Sequence, residues 1–129
     1  MKKVAVLSVI LSMLLLLCGC GSFNYFNYDD LINKVQSAEI IEYNSDTNEE
    51  QSLFIIPNSD LQLILQDLSQ LEFRYTFLGS PELATGLCIK LNYTNNDCEV
   101  VTFLGTSKDK RIQCNQERFE EILRKYYSN

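Results

Sequence analysis

Histidine is absent from this 129-residue chain, and basic side chains are scarce: 11 Lys and Arg against 17 Asp and Glu, a net charge of −6. Without imidazole the chain lacks the usual general base near neutral pH and the commonest metal ligand. Ser-His-Asp and Cys-His catalysis cannot be assembled from it alone, nor can a His-based zinc site. The shortage of positive charge argues against nucleic acid, which is bound through neutralised phosphates. It argues equally against attraction to anionic lipid headgroups. Net negative charge on a small chain more commonly means solubility.

What is present is concentrated at the N-terminus. Lys2 and Lys3 are followed by an apolar run, Val4 to Leu17, interrupted only by Ser8 and Ser12 and free of charge. A positive start, a short apolar core and a small residue before the cut mark a secretory signal. The run is shorter than the roughly 20 residues needed to span the bilayer core. It closes on Leu17-Cys18-Gly19-Cys20. This Leu-x-Gly-Cys ending resembles the lipobox of bacterial lipoprotein precursors, and the match covers about the first 20 residues. The downstream chain looks similar to small uncharacterised lipoproteins of Gram-positive bacteria.

The resemblance implies a defined course of processing. The Cys20 thiol would be alkylated with diacylglycerol, a type II signal peptidase would recognise Leu17 and Gly19 and cut after Gly19, and Cys20 would become the first residue. Each buried methylene contributes roughly 0.8 kcal/mol, so two acyl chains hold where one is marginal. That modification, palmitate or a similar fatty acid, is the only non-protein group expected; no cofactor and no metal are assigned. Cys18 stands where Ala, Ser or Thr is commoner. Its own −1 residue, Leu17, is not small and suits a cut there less well. Cleavage without lipid, and an uncleaved signal anchor, are the competing readings.

Removing residues 1–19 takes away Lys2 and Lys3 and leaves 110 residues with a net charge of −8. That length is one domain, large enough to bury a core. The expected organisation is a signal peptide over 1–19, a lipidated Cys20 with a tether over 20–28, and a single extracytoplasmic domain over 29–129. In the tether Phe23, Tyr25, Phe26 and Tyr28 alternate with asparagines. Such rings suit the membrane interface, or equally a docked position on the domain.

The rest reads as an α+β domain. Asp29–Ser37 is a short helix capped by Asp29 or Asp30. Ala38–Tyr43 and Ser52–Ile56 are strands joined by the polar loop 44–50. Asn58 or Ser59 caps a helix whose stripe of Leu61, Ile64, Leu65, Leu68 and Leu71 is the clearest periodicity in the chain. Arg74–Leu78 is a short strand, broken by Gly79-Ser80-Pro81. Leu87–Tyr93 and Cys98–Leu104 form a hairpin about Asn95-Asn96, and Arg111–Cys114 is a third strand of the same meander. Asn115 caps a last helix, Gln116–Tyr127, with Phe119, Ile122, Leu123 and Tyr126 on its apolar face. Glu120–Arg124 and Glu121–Lys125 are favourable i,i+4 pairs.

The order strand, strand, helix thus occurs twice. The expectation is an antiparallel sheet of about five strands with two main helices on one face, plus a short N-terminal helix.

Candidate chemistry is thin. Asp46, Asn48 and Glu50 resemble the start of a calcium loop, but no Gly stands at its sixth position and Pro57 replaces the bidentate Glu. Glu39 and Glu42 fall on opposite strand faces. Cys88, Cys98 and Cys114 fit no metal or redox spacing and are expected as free, buried thiols. No catalytic residues are assigned and an enzyme is not expected. The sequence points to an extracytoplasmic binding module, held to the cell membrane by lipid, for an envelope protein or wall component. An envelope inhibitor or immunity protein is the alternative, and a thiol- or carboxylate-dependent enzyme is further off.

Overall fold

A computed structural model describes residues 2–18, 21–76 and 83–127. The expected lipidation residue Cys20, Gly19 and the expected Gly79-Ser80-Pro81 break lie outside them. The apolar run forms helix α1, Lys2–Cys18, with Leu17 in its last turn. Its described side chains, Lys3 to Leu11, are all exposed. Among the described residues no helix is long and apolar enough to cross a membrane.

The remainder is an α+β fold of two antiparallel sheets. After β1 (Phe23–Asn24) and α2 (Tyr28–Lys34) come β2 (Val35–Asn44), β3 (Glu49–Ile55), α3 (Asn58–Gln70) and β4 (Glu72–Tyr75). Then follow β5 (Gly86–Tyr93), β6 (Cys98–Thr102), β7 (Gly105–Thr106), β8 (Ile112–Cys114) and α4 (Gln116–Tyr126). The larger sheet has the order β3-β2-β5-β6-β7 and the smaller β1-β4-β8. Because β2 and β5 are antiparallel neighbours at the centre, their partners β3 and β6 fall on opposite flanks. A duplicated ββα unit would give this arrangement.

One core joins the layers. Ala38, Ile40, Ile89, Leu91 and Val101 project from one face of the larger sheet. They meet Ile64, Leu65 and Leu68 of α3 and Phe119, Ile122 and Leu123 of α4. Phe73 and Ile112 of the smaller sheet, both fully buried, close the far side. The helical stripes read from the sequence are therefore the core faces, as amphipathic periodicity requires.

Several local expectations shift by a residue or more. Asn27, not Asp29 or Asp30, caps α2: its Oδ1 accepts from the Asp30 N–H at 3.2 Å. That helix stops at Lys34 because Val35 enters the sheet opposite Tyr93 and is buried. Pro57 takes the cap position of α3, with no side-chain cap bond. Asn115 does cap α4, its side chain accepting from the Arg118 N–H at 3.1 Å.

The β5–β6 turn holds three residues rather than two. The Tyr93 N–H donates to the Asp97 carbonyl at 2.9 Å, and Asn96 takes a φ of +68°. A loop of three residues ending in a left-handed position is a recognised hairpin solution. It moves the register by one, pairing Asn92 with Cys98 and Leu91 with Glu99. Glu99 and Val101 consequently sit on the core side.

Strand β8 is also redirected. It pairs with β4, Phe73 opposite Cys114, not with β6. The short β7 already occupies that flank, opposite Val101 and Thr102.

Candidate functional site

The aromatic stretch before α2 is built into the fold. In β1, Phe23 pairs with Phe73 and Asn24 with Glu72. The Asn24 amide donates to the carbonyls of Ser69 at 3.0 Å and Leu71 at 3.3 Å. The Phe23 ring stacks on Tyr75 with centroids 4.9 Å apart. Phe26 is buried and meets both Tyr25 and Phe73 edge-on. Of the two placements open to these rings, docking on the domain is the one adopted.

This attachment ends on a buried charge. Glu99 is only 3% exposed. Its carboxylate accepts from the Tyr93 hydroxyl at 2.6 Å and the Tyr25 hydroxyl at 2.9 Å. Lys108 lies above the Tyr93 ring, 4.6 Å from its centroid, but its ammonium is taken by Asp97 at 2.7 Å. A buried carboxylate needs such donors, because unpaired burial is costly. Burial, with the neighbouring Glu99 charge adding to it, raises the Tyr25 hydroxyl to about 12 and pushes Tyr93 up as well. The cluster reads as a structural clasp between the N-terminal segment and the β5–β6 hairpin.

A sign follows for alkaline solution. Tyr25 ordinarily titrates at 10.0 and the buried thiols of Cys88 and Cys114 at 9.0, whereas in the fold all three rise to about 12. Above pH 9 the unfolded chain therefore releases protons that the folded chain retains. Stability should be fully present below pH 9 and fall progressively toward pH 12. Denaturant melts under reducing conditions at pH 8, 10 and 11 should show a falling midpoint. Tyr25→Phe should flatten the part above pH 10.

A groove of about 910 Å³ lies between α3, α4 and the edge of the smaller sheet. Leu71, Ile122 and the half-buried Cys114 form apolar parts of its lining, and Ser22 stands at its rim. Its walls carry both signs of charge. Asp67 on α3 accepts from Lys125 on α4 at 3.0 Å and from the Tyr126 hydroxyl. Glu72 accepts from Ser22 at 3.1 Å. Arg118 approaches Glu121 only loosely, at 3.9 Å. Arg74 on β4 and Glu117 on α4 also line the groove. Among the described residues neither has a hydrogen-bond or ion-pair partner.

The outer face of the larger sheet is largely self-satisfied. Lys90 pairs with Glu50 at 2.7 Å, Ser52 donates to Glu39 at 2.9 Å and Asn92 to Ser37 at 3.1 Å. At one end Ile41, Cys88 and Val100 make a small second core under Leu83. The 44–50 connection is tied down at both ends: the Tyr43 hydroxyl donates to Asn48, which holds a φ of +56°, and the Ser45 N–H donates to the Thr85 hydroxyl at 3.1 Å. Among the described residues no group of three or more His, Cys, Asp or Glu could hold a metal ion.

The three domain cysteines are free, but they differ. Cys88 is fully buried and Cys114 half-buried, whereas Cys98 is exposed, contrary to the expected burial. The one-residue register shift turns its thiol outward. A maleimide pulse followed by peptide mapping should modify Cys98 first, because burial holds the other two thiols protonated. Early modification of Cys88 would show that the Leu83 cover opens.

No family model, curated protein or solved structure matches this chain. No sequence signal joins Arg74 and Glu117, 43 positions apart, in the lining of the groove.

Proposed function

We propose that this protein is a lipoprotein, acylated on Cys20 and held on the outer side of the cell membrane, where its α+β domain acts as a binding module. The observation that carries this reading is the sharp division between α1 and the domain. Every described side chain of the apolar N-terminal helix is exposed, while burial begins at Phe23 and Phe26. A uniformly apolar helix that the fold leaves uncovered calls for another apolar environment. The charged flank and the Leu17-Cys18-Gly19-Cys20 ending supply the rest of a lipoprotein leader.

The docked segment 23–28 gives the anchor a mechanical consequence. Cys20 is three residues from β1, about 10 Å of chain at full extension. A lipid there holds the domain against the bilayer rather than on a long leash.

Growth with an alkynyl fatty acid tests the anchor. The wild-type chain and Cys18→Ser should take up label and lie accessible to external protease, whereas Cys20→Ser should remain unlabelled and uncleaved. Label retained in Cys20→Ser, or a protein found in the cytosol with its leader intact, would overturn the proposal.

A further inference from the structure

The smaller sheet carries a pair of stacked rings that the fold leaves partly open. Phe23 and Tyr75 lie with centroids 4.9 Å apart and planes at 25°. Phe23 is half-buried, whereas Tyr75 is 61% exposed. The Arg111 guanidinium lies 5.7 Å from the centroid of the Tyr75 ring and is tied to Asp109 at 3.2 Å. The Thr76 N–H donates to the Arg111 carbonyl at 2.7 Å, joining the two chain segments at this point. The surface thus combines two rings with two polar tips, a phenol hydroxyl and a guanidinium. Rings with an apolar body and a polar tip favour the membrane–water interface, and the apolar stem of an arginine tolerates it.

Strand direction sets this surface beside Cys20. β1 is antiparallel to β4, with Asn24 opposite Glu72 and Phe23 opposite Phe73. Traced back from Phe23 toward Cys20, the chain therefore leaves β1 in the direction in which β4 advances from Phe73 to Tyr75. The point of departure is held: the Asn24 amide is bound to Ser69 and Leu71, and Phe26 is buried against Phe73. Three residues of extended chain span about 10 Å, and the polar layer of a bilayer is roughly 5–8 Å deep on each side. Acyl chains on Cys20 thus bring the rings to the level of the headgroups. We propose that Phe23 and Tyr75 are the surface on which the anchored domain rests, with their rings at the boundary between headgroups and acyl chains. The contact is aromatic rather than ionic, so it suits a zwitterionic bilayer and an acidic domain. It rests on the lipid-anchor reading and gives the anchored domain one orientation.

The chain contains no tryptophan, so Tyr75→Trp places a single reporter on this surface. Ile55→Trp, at a 66% exposed position on the edge strand of the larger sheet, serves as the control. Each acylated protein is reconstituted in phosphatidylcholine vesicles, with and without phospholipid brominated high on its acyl chain. Tyr75→Trp should emit at shorter wavelength than Ile55→Trp and be quenched about threefold more strongly, as a ring at the interface is against one in water. A second arm needs no substitution. The wild-type acylated chain is irradiated in vesicles containing a phospholipid with a diazirine on its acyl chain. Label should fall on the peptides bearing Phe23 and Tyr75 and spare the one bearing Ile55. Tyr75→Asp should lower labelling at Phe23 several-fold while Cys20 keeps its acyl groups.

Mass spectrometry of the peptide bearing Cys20 reads the acyl groups independently. In a chain that carries them, equal quenching of the two tryptophan variants, or label spread evenly over the Tyr75 and Ile55 peptides, would overturn the surface and leave the anchor. A chain without acyl groups that is still labelled at Tyr75 would sink the anchor and keep the aromatic contact. A chain without them whose rings stay in water would sink both.

Discussion

Phe73→Ala is expected to lower the unfolding free energy by about 3–5 kcal/mol, the range for deleting a buried aromatic side chain. Phe73 is fully buried, and its strand is the middle of the smaller sheet, between β1 and β8. Its ring meets Tyr25 at 5.8 Å and Phe26 at 6.1 Å between centroids. The void would therefore open where the N-terminal segment, β8 and both long helices share one core. Domains of this size have about 5–15 kcal/mol in total, so the loss is a large fraction of the whole. Urea melts followed by circular dichroism would measure it. Phe73→Leu should cost much less, and a loss below about 1 kcal/mol in the alanine variant would mean that Phe73 is not central to that core.

Glu99→Leu should be the second large effect, at about 2–4 kcal/mol. Two terms oppose each other here. Removing the carboxylate relieves the cost of burying a charge. It also orphans the Tyr25 and Tyr93 hydroxyls, each costing roughly 1–3 kcal/mol when left unsatisfied. Both tyrosines are only half-buried, so water recovers part of that loss, which keeps the estimate in the lower range. Glu99→Gln separates the terms: it keeps an acceptor, drops the charge, and should cost about 1 kcal/mol or less. Hydrogen exchange at residues 23–28 should quicken in Glu99→Leu and stay near wild type in Glu99→Gln. Unchanged exchange in both would show that the clasp does not hold the N-terminal segment.

Fold class and the two long helices were legible because they rest on periodicity. Leu61, Ile64, Leu65 and Leu68 repeat at helical spacing, and Leu87, Ile89, Leu91 and Tyr93 alternate. Asn115 announced its cap through its own side chain. These signals are local, and they survive any change in what the element packs against. The proposed leader is local in the same sense, a contiguous run of charge, apolar length and Leu-x-Gly-Cys, and stands as a proposal.

The illegible parts depend on pairing. A turn of two or three residues around Asn95 and Asn96 differs by one unit of register, and one unit reverses which side chains face the core. That single choice carried Glu99 inward and turned Cys98 outward. Whether Arg111–Cys114 joined β6 or β4 depended on which strand had a free edge, which no stretch of that segment records. The aromatic tether likewise balanced between membrane and domain until Phe73 and Glu99 supplied partners from more than 45 residues away.

By itself the chain determined its composition-level exclusions, its α+β class, its helical faces and its candidate acylation residue. Only the tertiary structure decided that Tyr25 and Tyr93 would close on Glu99, and that Arg74 and Glu117 would line one groove. The physical reason is that hydrophobic periodicity is written along the chain. The pairing of distant polar groups is settled by which register lets each find a partner while the apolar faces stay covered.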